Sequence, residues 1–198
     1  MKTVKFWVKK LLYVFGIEIS RSRPRNINLP KYFKKMLCFQ RMFEIIKNVE
    51  GDVVECGVAA GYSLLQLSIL VAEESKNRKI YGFDSFEGLP DSGDMKHTIT
   101  DVKYTFKRFN GHFPVLTKGF FKDTLAGFQG KIALLHLDCD LAESYKTCLR
   151  ELYPQIVKGG VIIFDEYDNP KWPGVKEVIE SFGIKVEKDI SGKYYFVK

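Results

Sequence analysis

The chain reads as an α/β protein: a doubly wound, mostly parallel sheet that ends in an antiparallel hairpin and follows N-terminal helices. Three observations predict this. From Gly51 onward, short apolar strands alternate with helical stretches, the order that lays helices on both faces of a parallel sheet. The runs Ile132 to Leu137 and Val161 to Phe164 are apolar almost throughout, as strands buried on both faces must be. Two last strand-like segments, Ile184 to Val186 and Tyr194 to Val197, flank a Ser-Gly turn and form an antiparallel pair.

The elements follow in order. Val4, Trp7, Val8, Leu11 and Phe15 recur at helical spacing while Lys2, Lys5 and Lys9 take another face. Arg21, Arg23 and Arg25 around Pro24 read as a linker. A second helix is expected from Lys31 to Lys47, with Phe33, Met36, Leu37, Phe43 and Ile46 buried. Val53 to Cys56 is the first strand, Tyr62 to Glu74 a helix, and Ile80 to Phe83 the second strand. A polar loop runs over Glu87 to Thr100, followed by a helix over Asp101 to Asn110 and a short strand, Val115 to Thr117. A helical turn near Thr124 precedes the fourth strand at Ile132, and Ala142 to Tyr153 is a helix. Val161 begins the fifth strand, and Pro173 opens a helix that ends at Phe182. No repeat or low-complexity tract interrupts the pattern. The expected division is a basic helical segment over residues 1–50 and one α/β domain over residues 51–198.

Charge supports that division. The net charge is +7, but residues 1–50 carry 12 Lys/Arg against 3 Asp/Glu, while the rest carries 19 against 21. The basicity therefore belongs to the N-terminal segment. The apolar stretch from Leu11 is too short to span a bilayer, and no small-residue cleavage site follows it. Residues 1–25 read either as an interfacial helix on anionic lipid or as a helix packed on the domain or on a second subunit of a homodimer. The four cysteines show neither CxxC nor zinc spacing, so a reducing, cytoplasmic setting is expected, with peripheral membrane contact on the interfacial-helix reading alone.

Chemistry concentrates at two strand ends. Asp138 and Asp140 follow one apolar run, one pleat apart and so expected on one face; Asp165 and Glu166 follow another. Four carboxylates at one sheet edge repel unless a positive charge sits among them, and a hard divalent cation with oxygen ligands suits them. His136 shares the face of Asp138 but lies further back, as a hydrogen-bonded strand histidine. Either aspartate taken alone reads equally well as a helix cap or loop residue.

The turn after the first strand carries Gly57 and Gly61, which permit a tight turn and close ligand approach to a helix start. It is not GxGxxG, because Ala59 intervenes, so a pyrophosphate-binding NAD loop is disfavoured. Glu55 is placed to meet a cationic ligand portion. Asp84, 27 residues beyond Gly57, is placed to accept the hydroxyls of a ribose. An adenosine with a positively charged amino-acid tail is S-adenosylmethionine. Phe120 and Phe121 either flank the adenine or pack in the core, and Tyr145 and Trp172 either line an acceptor pocket or pack against helices.

Four stretches carry a resemblance: Glu55-Cys-Gly-Val-Ala-Ala-Gly-Tyr-Ser63, Tyr81-Gly-Phe-Asp-Ser-Phe-Glu-Gly-Leu-Pro90, Lys118-Gly-Phe-Phe-Lys-Asp-Thr-Leu125 and Leu135-His-Leu-Asp-Cys-Asp-Leu-Ala-Glu-Ser-Tyr145. Together, over roughly residues 50–182, they resemble the macrocin O-methyltransferase family. The resemblance implies a Rossmann-like class I methyltransferase fold and metal-dependent methylation of sugar hydroxyls. It places Asp138, Asp165 and Glu166 on metal-ligand positions, with magnesium the expected ion, and Asp140 on the general-base position. Ser63 and Ser85 fall in the cofactor stretches with Glu55, Gly57, Gly61, Asp84 and Phe120. The family usually carries aspartate where this chain has Glu166, and the basic region before the cofactor loop is short here.

The acceptor expected is a glycan or a glycosylated small molecule. A catechol-type O-methyltransferase shares the metal logic. A nucleic-acid binder using the basic arm is the reading from a different class; the arm carries no recognised RNA module, so no nucleic acid is expected.

Overall fold

A computed structural model describes residues 29–198 except 75, 91, 110 and 111. The basic stretch 1–25 and the homodimer and membrane contacts expected of it lie outside the described residues. No helix among the described residues is long and apolar enough to cross a membrane.

The elements are α1 (Leu29–Ile45), β1 (Asp52–Cys56), α2 (Tyr62–Glu73), β2 (Ile80–Asp84), α3 (Ile99–Phe109), β3 (Val115–Lys118), α4 (Phe121–Thr124), β4 (Ile132–Leu137), α5 (Ala142–Leu152), β5 (Ile156–Phe164), α6 (Val175–Ser181), β6 (Glu187–Lys188) and β7 (Tyr194–Val197). The sheet order is β3-β2-β1-β4-β5-β7-β6. β3, β2, β1, β4 and β5 run parallel, and β7 is antiparallel to both β5 and β6. Strand order reverses between β1 and β4, and in such sheets ligands bind beyond the carboxyl ends at that point.

Both faces of the sheet are covered. Val53, Leu134, Val161 and Ile163 face a core shared with α1 and α2, while Val54, Leu135, Ile162 and Phe164 face α5 and α6. Every residue of β4 is buried, which is why it reads as a continuous apolar run. α1 belongs to the same core as β1: its buried stripe is Lys35, Cys38, Phe39, Met42 and Phe43, continuing to Ile46. Met36 is only partly buried there, while Phe33 (64% exposed) and Leu37 (55%) face outward, against expectation. The stripe's phase is disguised by a lysine at one of its inward positions.

Two further expectations are corrected. β5 starts at Ile156, not Val161, because Ile156 pairs with Ile132 before a register shift. Gly159 and Gly160 bond with Lys198 at β7's end, so Gly-Gly is an irregular stretch within the strand. In the terminal hairpin, Glu187 and Lys188, not Ile184 to Val186, pair with β7. Asp189 closes the turn through its backbone N–H to the Lys193 carbonyl, and its carboxylate pairs with Arg41 of α1. All four cysteines are free and buried.

Candidate active site

The site lies along the carboxyl edge of the sheet. Just past each strand, a backbone N–H bonds the end of its neighbour: Gly57 to the Phe83 carbonyl, Asp138 to Cys56, and Asp165 to Leu137, at 2.9 to 3.0 Å. This ladder sets the glycine loop after β1 and the acidic residues side by side. Gly57 holds φ +92°, and a Cβ there would sit 1.9 Å from the Asp138 carbonyl oxygen. Gly61 holds φ +82°, and its Cβ would press on Val102 of α3 at 2.9 Å. Both glycines are thus demanded by backbone conformation and by the packing beneath the loop.

Asp84 organises that loop. Its Oδ2 accepts the N–H groups of Val58 (2.8 Å) and Ala59 (2.9 Å), and its Oδ1 accepts that of Phe86 (2.7 Å). A carboxylate offers about four acceptor directions, so it retains capacity for a ligand hydroxyl. Ser85 donates to the Gly88 carbonyl, fixing the turn after β2. Gly57, Gly61's neighbours Ala60 and Tyr62, Ser63, Asp84, Ser85 and Phe120 line one cleft of about 860 Å³ together with Asp138 and Asp140. Tyr32 and Lys35 of α1 form part of its wall.

Glu55 is placed otherwise than expected. It is fully buried, and its Oε1 lies 2.7 Å from His136 Nδ1, its register partner on β4. It therefore meets a protein partner, while its Oε2 is buried without a hydrogen-bond partner. Burial pushes Glu55 up. Burial alone would lower His136, but the flanking carboxylates of Asp165 and Glu55 outweigh this and hold the ring above its ordinary value. His136 Nε2 lies 3.5 Å from Asp165 Oδ1, so the imidazole sits between two carboxylates.

Asp138 and Asp140 do share the cleft, though not by strand alternation. β4 ends at Leu137, and Asp140 sits in a turn with φ +62°. Left-handed backbone at a non-glycine residue is costly and concentrates at functional sites. Cys139 between them is no nucleophile, since burial pushes its thiol up to about 12.

The four carboxylates have different surroundings. Asp138 Oδ2 accepts from Lys35 Nζ at 2.7 Å. Asp165 Oδ1 lies 3.1 Å from Lys35 Nζ and accepts from Lys193 Nζ at 2.7 Å. Burial alone would raise Asp165, but Lys35, His136 and Lys193 hold it well below the usual carboxylate range. Burial would likewise lower Lys35, yet Asp138 and Asp165 keep it above its ordinary value. Asp165 opens on a second cavity shared with Lys34, Lys188 and Lys193.

Glu166 turns toward Tyr145. The Tyr145 hydroxyl lies 2.8 Å from the Leu137 carbonyl oxygen and 2.6 Å from Glu166 Oε2. One phenolic proton cannot serve both, and a carbonyl only accepts. A Glu166 that keeps its own proton and donates to Tyr145 satisfies all three groups. Its carboxyl is pushed up to about 10 by burial and by the nearby Asp138 and Asp165, which agrees. Tyr145 is therefore wholly buried as Glu166's partner, and Trp172 packs against the core beside α6.

The donors fit a hard cation in kind. Ligand atoms of His136, Asp138 and Asp165 lie within 4.8 Å of one another, and Glu166 is the next carboxyl along the edge. His136 as part of this group, and Lys35 against it, are what the residue pattern alone did not identify.

The family model for macrocin O-methyltransferase matches residues 34–192. The chain belongs to the macrocin O-methyltransferase family. Among curated relatives of this family member, a Streptomyces olivaceus protein named as the 4'-O-methyltransferase of a dimethoxy-rhamnosyl tetracenomycin is 33% identical over 141 residues, 60% of this chain and 54% of that protein. The match thus spans just over half the length of that relative. The Streptomyces niveus demethyldecarbamoylnovobiocin O-methyltransferase is 31% identical over 84% of this chain and 72% of its own length. The structure of the O-methyltransferase NovP superposes with a TM-score of 0.75 over 83% of this chain and 79% of that one, at 24% identity. The fold is that of a class I methyltransferase.

Proposed function

We propose that this family member transfers a methyl group from S-adenosylmethionine to a sugar hydroxyl, with a divalent cation assisting at the acceptor oxygen. The observation that carries the proposal is the single cleft in which the Asp84-anchored glycine loop faces Asp138 and Asp140. The sugar acceptor is supported by the tetracenomycin relative, whose name specifies a rhamnosyl group. S-adenosylmethionine supplies an electrophilic methyl group, and a divalent cation supplies charge that stabilises a developing oxyanion.

The chain's own residues do the rest. Asp84 binds ribose hydroxyls while keeping the Val58 and Ala59 amides in place. The N-terminus of α2 has no side-chain cap, so its leading amides offer a seat for the donor's carboxylate. Asp138 and Asp165 would hold the cation together with His136, and Glu166, which faces Tyr145, would join them on leaving that hydrogen bond. A positive charge held there would offset the repulsion from Asp138 and Asp165 that favours the protonated Glu166 carboxyl. Asp140, at the cleft surface, takes the proton from the acceptor hydroxyl. Tyr32 and the α1 wall exclude water, and alignment of the two reactants supplies much of the remaining acceleration.

Methyl-labelled S-adenosylmethionine, offered with sugar nucleotides and glycosides with and without EDTA, tests this. Label should appear on a sugar, disappear with EDTA and return with Mg²⁺. Asp140→Asn should lower transfer by roughly 10²- to 10⁴-fold without loss of donor affinity. Transfer that survives EDTA removes the metal from the account, and a near-normal Asp140→Asn removes the base.

A further inference from the structure

Lys35 is a buried lysine within an apolar helix stripe. It occupies an inward position of α1, in phase with Cys38, Phe39, Met42 and Phe43, and only 4% of its surface is exposed. A buried ammonium needs charged partners, and Lys35 Nζ has two: Asp138 Oδ2 at 2.7 Å and Asp165 Oδ1 at 3.1 Å. They come from the ends of two adjacent strands, β4 and β5, so one lysine clamps the acidic edge together. Lys193, from the turn before β7, reaches the same Asp165 oxygen from the other side at 2.7 Å. Two ammonium groups thus bring to this cluster the same charge as one divalent cation.

We propose that Lys35 is a built-in counter-cation that competes with the divalent ion for the same carboxylate oxygens. Asp138 Oδ2 and Asp165 Oδ1 cannot each face both a metal ion and the ammonium in one small space, because the two cations repel at close range. Ion binding therefore requires Lys35 Nζ to withdraw, toward the cleft whose wall it already forms. The affinity of the site for metal is set partly by α1, an element outside the sheet. The inference rests on the metal-assisted reading above and assigns Lys35 a role that reading does not contain.

Two measurements on the full chain test it, using Mn²⁺ as the probe. Lys35→Met keeps the apolar stem and removes the charge, so it should bind Mn²⁺ at least tenfold more tightly than wild type, measured by paramagnetic resonance or calorimetry. Equal or weaker binding overturns the proposal, including the case in which neither protein binds the ion. Amine acetylation followed by mass spectrometry needs no variant: Lys35 should be protected in EDTA and become labelled when Mn²⁺ is added. Labelling of Lys35 that is unchanged at an Mn²⁺ concentration shown to saturate the site overturns it equally. EDTA-insensitive methyl transfer would dispose of the metal in catalysis, yet these binding readouts would still decide whether Lys35 and the ion exclude each other.

Discussion

Replacing Gly57 with alanine should be among the most damaging single-methyl changes available in this chain. The position holds φ +92°, where an L-residue costs about 1–2 kcal/mol. The added Cβ would stand 1.9 Å from the Asp138 carbonyl oxygen and 2.6 Å from its carbonyl carbon, both rigid backbone atoms. Relieving that overlap means moving the end of β4 or the loop, and forced repacking of this kind costs about 1–3 kcal/mol more. The sum, roughly 2–5 kcal/mol, is a large part of the about 5–15 kcal/mol that stabilises an ordinary domain. Gly183 is the control: its φ is +71°, but nothing lies within 4 Å of a Cβ there. Gly183→Ala should show the conformational cost alone. Urea denaturation of both variants, compared at unchanged m-value, measures the difference. If the two cost the same, the close approach of the glycine loop to Asp138 is not what selects glycine at position 57.

Other perturbations follow from the buried polar groups. Tyr145→Phe leaves the Leu137 carbonyl and Glu166 without their shared partner, at a cost of about 1–3 kcal/mol in urea denaturation; an unchanged midpoint would show that neither bond contributes. Asp189 is a pH probe. Burial alone would raise it, but Arg41 and Ser191 hold it at about 2, below its ordinary 3.8. Its contribution is therefore full above about pH 4 and fades as pH falls toward 2, worth at most about 2 kcal/mol. Asp189→Asn should be less stable than wild type at pH 6, with the gap closing toward pH 2; a gap independent of pH would contradict the pairing with Arg41.

Much of the site was legible because parallel strands buried on both faces leave little ambiguity. Ile132 to Leu137 is a strand at the bounds the residues suggest, and the acidic pairs do fall at strand ends. What escaped notice depends on neighbours that sequence distance hides. Glu55 and His136 face each other only because β1 and β4 are adjacent in register, 81 residues apart in the chain. Lys35 escaped because a lysine ordinarily marks the solvent side of a helix, which shifted the expected buried face of α1 onto Phe33 and Leu37. Asp138 and Asp140 reach one cleft through a left-handed turn, where strand alternation gave the same side for the wrong reason. The residue pattern starts β5 at Val161 because Gly159 and Gly160 carry no apolar signal, and only their bonds with Lys198 make them part of the strand.

The account depends on the cleft beside Asp84 being the seat of the methyl donor, and that can be measured without knowing the acceptor. Calorimetric titration with S-adenosylhomocysteine should show one site per chain, with affinity reduced at least tenfold in Asp84→Ala, verified as folded by circular dichroism. No binding at millimolar ligand, or full affinity in the folded variant, would contradict it.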